Sequence, residues 1–162
     1  MNKCAKATNN CGALVTCPPC ANALCGADGK PSTCSCPPRP LALNQFGDGA
    51  GHTCYATTST SCGTETFQAT IAKLYPGPTD GVVRLYRCNK GIAFTLTTQT
   101  GCNGLAGYVV DSVVGACAAA PACGALLLHR YYNNANDDFV HGFGAAPPGY
   151  IPFGDVCYAW PP

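Results

Sequence analysis

The stretch LLLHRYYNNANDDFVHGF, residues 126–143, gathers two histidines, two tyrosines, three asparagines and two adjacent aspartates. An aromatic platform beside planar amides and carboxylates is the chemistry that binds sugar hydroxyls. Tyr132, Asn133, Asn136, Asp137, Asp138 and His141 supply it here, with Trp160 closing the same stretch of chain. The competing reading makes Tyr131 and Phe139 core, the amides turn caps and Trp160 a plug. The same oxygens could surround calcium, but no EF-hand closing Glu follows, and Asn serves ordinary turns well. Asp137 and Asp138 are adjacent and would face opposite ways on a strand, which does not suit a paired-carboxylate glycosidase. There is no G-x-S-x-G, and no cysteine stands apart from a disulfide pattern. The expectation is a non-enzymatic protein without metal or cofactor.

CPPC at residues 17–20 could be a redox motif or half a zinc site. The first needs a strand before it and a helix after it, and the second needs another pair at ligand spacing. Cys34-Ser35-Cys36 is one residue too close. Structural disulfides are the better reading. Asn9-Asn10-Cys11 is only the rare cysteine form of a glycosylation sequon. The hydroxyl runs at 57–66 and 95–100 read as strand and turn residues.

The elements that must position these groups follow from composition. The charged fraction is 10% and the net charge +1, against about 25% charged residues in ordinary soluble domains. Such a balance gives no footprint for nucleic acid or an anionic membrane. No apolar run approaches the ~20 residues of a membrane span. Fourteen cysteines in 162 residues indicate a disulfide scaffold matured in an oxidising, extracellular compartment. MNKCAKATNN lacks the apolar core of a signal peptide, so the chain reads as a mature form. Residues 1–36 hold seven cysteines and few large apolar side chains, and read as a disulfide knot. PPRP at 37–40 reads as a stiff linker. From 41 onward short β-rich runs alternate with Gly and Pro clusters, an all-β pattern.

This second part repeats. LALNQFGDGAGHTCYATT (41–58), VRLYRCNKGIAFTLTT (83–98) and LLLHRYYNNANDDFVHGF align on Leu43, Leu85 and Leu128. The first and third align without a gap, placing Phe46 on Tyr131 and His52 on Asp137, while the second lacks two turn residues. Arg87 falls on Arg130, Phe94 on Phe139, and GYVVDSVVGACA (107–118) on GYIPFGDVCYAW (149–160). The matching end of the first repeat, near FQATIAKLY, is weak. Units at about 41–82, 83–125 and 126–162 predict a β-trefoil of three pseudo-repeats behind the small disulfide-rich N-terminal segment. The anchor leucines and the Phe94/Phe139 position would face its core.

The third repeat, L-x-R-Y-Y-N-x-x-x-D-D-F followed by G-Y-x-x-x-G-x-x-x-Y, resembles a repeat module of unknown function in secreted microbial proteins. That module's pattern runs L-Y-R-x-Y-N, then D-H-F-Y, then G-Y. The resemblance spans 41–160 and implies a trefoil-like arrangement of about three modules. The D-H-F-Y positions are occupied by Asp137 to Val140, Ile92 to Thr95 and His52 to Tyr55. The acid that follows G-Y in the module is absent, with Asp111 and Phe153 near its place. The spacing before PPRP also resembles, loosely, an epidermal-growth-factor-type or leech-inhibitor-type knot.

Cys54 and Cys62 lie in the first repeat, Cys88 and Cys102 in the second, and Cys117 and Cys123 flank a short loop. Both parts hold an odd number of cysteines, so full pairing requires a bridge between them. Cys157 is the expected partner of the knot. The expected function is an extracellular lectin-like module binding carbohydrate through the third repeat. The rivals are a structural subunit of a filament or surface layer, with copies of itself as partner, and a protease inhibitor acting through residues 26–33.

Overall fold

A computed structural model describes residues 36, 38–57, 62, 64–77 and 81–162, together with the backbone of four two-residue strands nearer the N-terminus. Those strands pair as Ala7–Thr8 with Leu14–Val15 and Leu24–Cys25 with Cys34–Ser35, both antiparallel. CPPC, the Asn9 sequon, the 26–33 loop and the knot's bridges lie outside the described residues.

From residue 41 the described residues form nine strands: β1 (Leu41–Gly47), β2 (Thr53–Ala56), β3 (Thr66–Leu74), β4 (Val82–Lys90), β5 (Ala93–Thr97), β6 (Val109–Ala118), β7 (Leu126–Asn133), β8 (Asp138–Gly142) and β9 (Ile151–Ala159). The helical residues among those described are a single 3₁₀ turn, Cys102–Gly104. The chain is therefore all-β, as its composition leads one to expect. No helix among the described residues is long and apolar enough to cross a membrane.

One pairing pattern recurs three times. A first strand (β1, β4 or β7) makes a hairpin with the second (β2, β5 or β8) and pairs on its other edge with the third (β3, β6 or β9). Each third strand carries two bulges at equivalent positions. The extra residues are Gln68, Asp111 and Phe153 at the first bulge, and Ile71, Val114 and Val156 at the second. Bulges strengthen the local twist, so each long strand curls. The inner bulge residues pack against the main core.

That core holds Leu43, Leu85 and Leu128, each fully buried, one from each first strand. The second strands contribute Tyr55, Leu96 and His141, which stand opposite Gln45, Arg87 and Arg130 and are buried. The Tyr55 and His141 rings meet edge-on at 4.8 Å. Leu96 N–H donates to His141 Nε2 at 3.2 Å, and Tyr55 Oη donates to the Phe139 carbonyl at 3.0 Å. Phe139 is buried as expected, whereas Phe94 is only half-buried.

The third strands meet at their C-terminal ends, through bridges Tyr75↔Ala116, Lys73↔Trp160 and Ala118↔Tyr158. A smaller cluster of Tyr75, Ala116, Ala118 and Trp160 closes this end. The hairpin turns lie at the other end of the same strands, because each third strand runs antiparallel to its first.

Two expectations are corrected. Between the equivalent pairs Gly47↔Thr53, Asn89↔Phe94 and Tyr132↔Phe139 lie residues 48–52, 90–93 and 133–138. The first and third units therefore differ by one turn residue, and His52 corresponds to Asp138, not Asp137. The longer turn accommodates this with Asp137 in the left-handed region, φ +50°, a conformation Asp tolerates. Second, Cys157 is bonded to Cys117, where β6 and β9 come together. Cys123 takes the inter-part bridge, to Cys36. Cys54–Cys62 and Cys88–Cys102 complete the four disulfides among the described residues. Within the PPRP stretch, Arg39 is anchored to the β-rich part. The Arg39 guanidinium lies 4.8 Å from the Trp160 ring and donates to the Cys123 carbonyl at 3.0 Å.

Candidate functional site

The structure divides the sugar-binding set expected from the sequence. Asp138 is fully buried and accepts from Thr53 N–H (2.9 Å), Thr53 Oγ1 (3.1 Å) and Tyr150 Oη (2.7 Å). It stitches the third turn to the first unit. Burial holds its carboxyl above the ordinary value against the pull of those donors. His141 is in the core, where burial and then the nearby Arg130 charge lower its pKa to about 3, so the ring is neutral. Trp160 is buried at the other end, its Nε1 donating to the Cys123 carbonyl at 3.0 Å. These three are internal fittings.

Tyr132, Asn133, Asn136 and Asp137 do come together in the third turn, and mostly bind one another or their neighbours. Tyr132 Oη donates to Asp137 Oδ1 at 3.0 Å, and Lys90 Nζ from the second turn reaches Asp137 Oδ2 at 3.0 Å. Lys90 is the larger influence holding the Asp137 carboxyl below its ordinary value. Asn133 Oδ1 accepts from Ala135 N–H at 2.9 Å, an Asx turn. Asn136 is exposed and lies against Gly51 of the first turn.

The informative geometry lies between units. The residue before each third strand is Glu65, Tyr108 or Tyr150, and it faces the following unit. Glu65 lines a cavity with Arg87, Asn89, Phe94 and Asp111 of the second unit, Tyr108 packs on Phe139 of the third, and Tyr150 bonds Asp138, which accepts from Thr53 of the first. Three junctions between units result.

The groove between the second and third units is plugged by aromatic rings. Tyr108, Tyr132 and Phe153 pack on Phe139 at 5.8, 4.7 and 5.3 Å. Arg130 lies within this stack, its guanidinium 5.1 Å from the Phe153 ring centroid. Its terminal nitrogens reach the Asn103 carboxamide oxygen at 3.0 and 3.1 Å in the amide orientation that also satisfies Thr97. At the junction of the third and first units the exposed Gln68 accepts from Gln45 Nε2 at 2.8 Å and lies beside Gly47, where an added Cβ would displace its amide. Tyr150 is tied to Asp138, which accepts from Thr53 of the first unit.

The groove between the first and second units is open, with a cavity of about 480 Å³, within the range of small-ligand sites. Where the plugged groove has Tyr108, Tyr132 and Phe153, this one has Glu65, Asn89 and Asp111. Arg87 stands at its floor. Its Nε donates to Asp111 Oδ2 at 2.5 Å, and its Nη1 donates to the Tyr55 carbonyl at 2.7 Å. Nη1 also lies 3.4 and 3.2 Å from the sulfurs of Cys54 and Cys62, and the guanidinium caps the Phe94 ring at 5.2 Å. Glu65 Oε2 is buried with no hydrogen-bond partner among the described residues. Among the described residues no group of three or more His, Cys, Asp or Glu is placed to hold a metal.

Arg87, Phe94 and Asp111 are visible in the repeat alignment as equivalents of Arg130, Phe139 and Phe153. Their pairing across a groove is not, because it depends on the bulge that aims Asp111 at Arg87. Glu65 had no signal, since the end of the first repeat aligned weakly.

The comparisons with known proteins add no assignment: no family model, no curated protein and no solved structure matches the chain.

Proposed function

We propose that this chain is an extracellular, non-enzymatic binding module of trefoil-like, three-unit build, and that it recognises carbohydrate in the groove between its first and second units. One observation carries the reading. Among the described residues the second–third junction is packed with aromatic rings and the third–first junction carries Gln68 and the Tyr150–Asp138 bond, whereas the first–second junction is open and lined by planar hydrogen-bonding groups. Asn89, Glu65, Asp111 and Arg87 provide donors and acceptors for hydroxyls, and Phe94 with the exposed Ile92 provides apolar contact. Binding fits better than hydrolysis. Asp111 is engaged by Arg87 and both cysteines are bridged, whereas glycoside hydrolysis takes two working carboxylates.

A glycan array followed by calorimetric titration tests this. Asn89→Ala and Asp111→Ala should each weaken the best glycan about tenfold, roughly 1.4 kcal/mol. Asp137→Asn and Asn136→Ala, in the third turn, should leave affinity within about twofold. Absence of binding to any glycan would overturn the proposal, and loss of binding on the third-turn substitutions would move the site there.

A self-assembling subunit is the second reading. Val109, Val110 and Val113 are exposed on the part of β6 whose outer edge is unpaired, and open apolar edges invite association. Concentration-dependent mass in sedimentation, abolished by Val110→Lys, would support it.

A further inference from the structure

The open groove carries a charge that its own residues do not balance. Arg87 is the cation that faces it, and both its Nε and its Nη2 converge on Asp111 Oδ2. Lys90, on the adjoining turn, is bonded to Asp137. That leaves Glu65, with one carboxylate oxygen buried and lacking a donor among the described residues. A buried, unpartnered carboxylate oxygen is costly to maintain. In the plugged groove the equivalent residue is the uncharged Tyr108, so the acid is peculiar to the open one. A ligand ammonium at the groove-lining part of the Glu65 side chain would supply the missing charge, and charge-assisted hydrogen bonds of this kind are about twice as strong as neutral ones.

We propose that the groove selects a glycan bearing a free, protonated primary amine, with the ammonium against the Glu65 carboxylate. The inference rests on the carbohydrate reading above and narrows its ligand to amino sugars that are not N-acetylated. Asn89, Asp111 and Phe94 then hold the rest of the sugar, while Glu65 reads the amine.

The test is calorimetric titration of the full chain with three probes: a β-1,4-linked glucosamine oligomer, the same oligomer fully N-acetylated, and methylamine. The free-amine oligomer should bind at least about tenfold more tightly than the acetylated one, a difference of about 1.4 kcal/mol. Glu65→Gln, with its folding checked by thermal unfolding, should reduce that ratio to about twofold or less by weakening the free-amine oligomer more than the acetylated one. Equal binding of the two oligomers by the wild-type chain would overturn the amine selectivity while leaving the carbohydrate reading intact, and this comparison needs no variant. A ratio that survives Glu65→Gln would remove Glu65 from the role. Methylamine binding as tightly as the free-amine oligomer would replace the glycan by a bare amine. Binding of none of the three overturns the amine selectivity, and it overturns the carbohydrate reading too if the wider array is also blank.

Discussion

His141 occupies a position that could pass for a ligand-binding histidine and behaves as a core residue. Its counterparts are Leu96 and Tyr55, and the three side chains fill the centre of the fold. An imidazole there must stay neutral, because protonation would place charge among leucines with Arg130 nearby. Its folded pKa, about 3, is depressed from the ordinary 6.5. The unfolded chain therefore binds the proton more readily, and the stabilisation is complete above pH 6.5 and lost as pH falls toward 3. Between pH 7 and pH 5 this one group should remove about 2 kcal/mol of stability. His141→Leu, which copies Leu96, should abolish that share of the slope even though it leaves the Leu96 N–H without an acceptor. Urea unfolding of both proteins at the two pH values measures the difference. The sequence shows that residues of the third turn cluster, but not which face inward. Asp138 and Asp137 are neighbours of identical type, and only the hairpin register sends one to the core and the other to Lys90.

At the scale of elements, the third strands decide the architecture. Each must curl enough for its end to meet the other two, and paired bulges supply the twist. Leucine anchors and hairpin turns leave a clear mark in sequence, which is why the three hairpins could be found by alignment. A bulge demands no residue type, so Gln68, Asp111 and Phe153 share a position without sharing chemistry. For the same reason FQATIAKLY looks unlike its counterparts while taking the same path. One residue where two third strands meet is sterically demanding. Gly115 has φ +147°, and a Cβ there would stand 3.0 Å from the Tyr75 carbonyl oxygen and 3.1 Å from a Leu74 methyl. Its neighbour Ala116 exchanges both backbone hydrogen bonds with Tyr75. Gly115→Ala should cost about 2–3 kcal/mol through strain and displaced backbone. The loss should appear as a lower denaturation midpoint with an unchanged denaturant slope.

At the scale of the molecule, the bridges divide the work. Cys54–Cys62 and Cys88–Cys102 close short loops within units, while Cys117–Cys157 joins the second unit to the third across a separation of 40 residues. In the chain-entropy account a longer closed loop contributes more. Replacing Cys117 and Cys157 together by alanine should therefore cost about 4 kcal/mol, against about 2.5 kcal/mol for Cys54 and Cys62. Equilibrium unfolding of the two double variants gives the comparison. Counting cysteines required a bridge between the two parts of the chain and could not identify it. The Cys36–Cys123 bond forms because the connection after β6 passes beside Trp160, where Arg39 also docks.

The opening of one junction between units also sets a number that matters outside the single chain. A repeat protein with three like pockets can cross-link its targets. On the carbohydrate reading, this one, with a single open groove between units among the described residues, would have a valency of one. It would coat a polysaccharide rather than agglutinate it, and any avidity must come from bringing several chains together, with the unpaired edge of β6 as the available means.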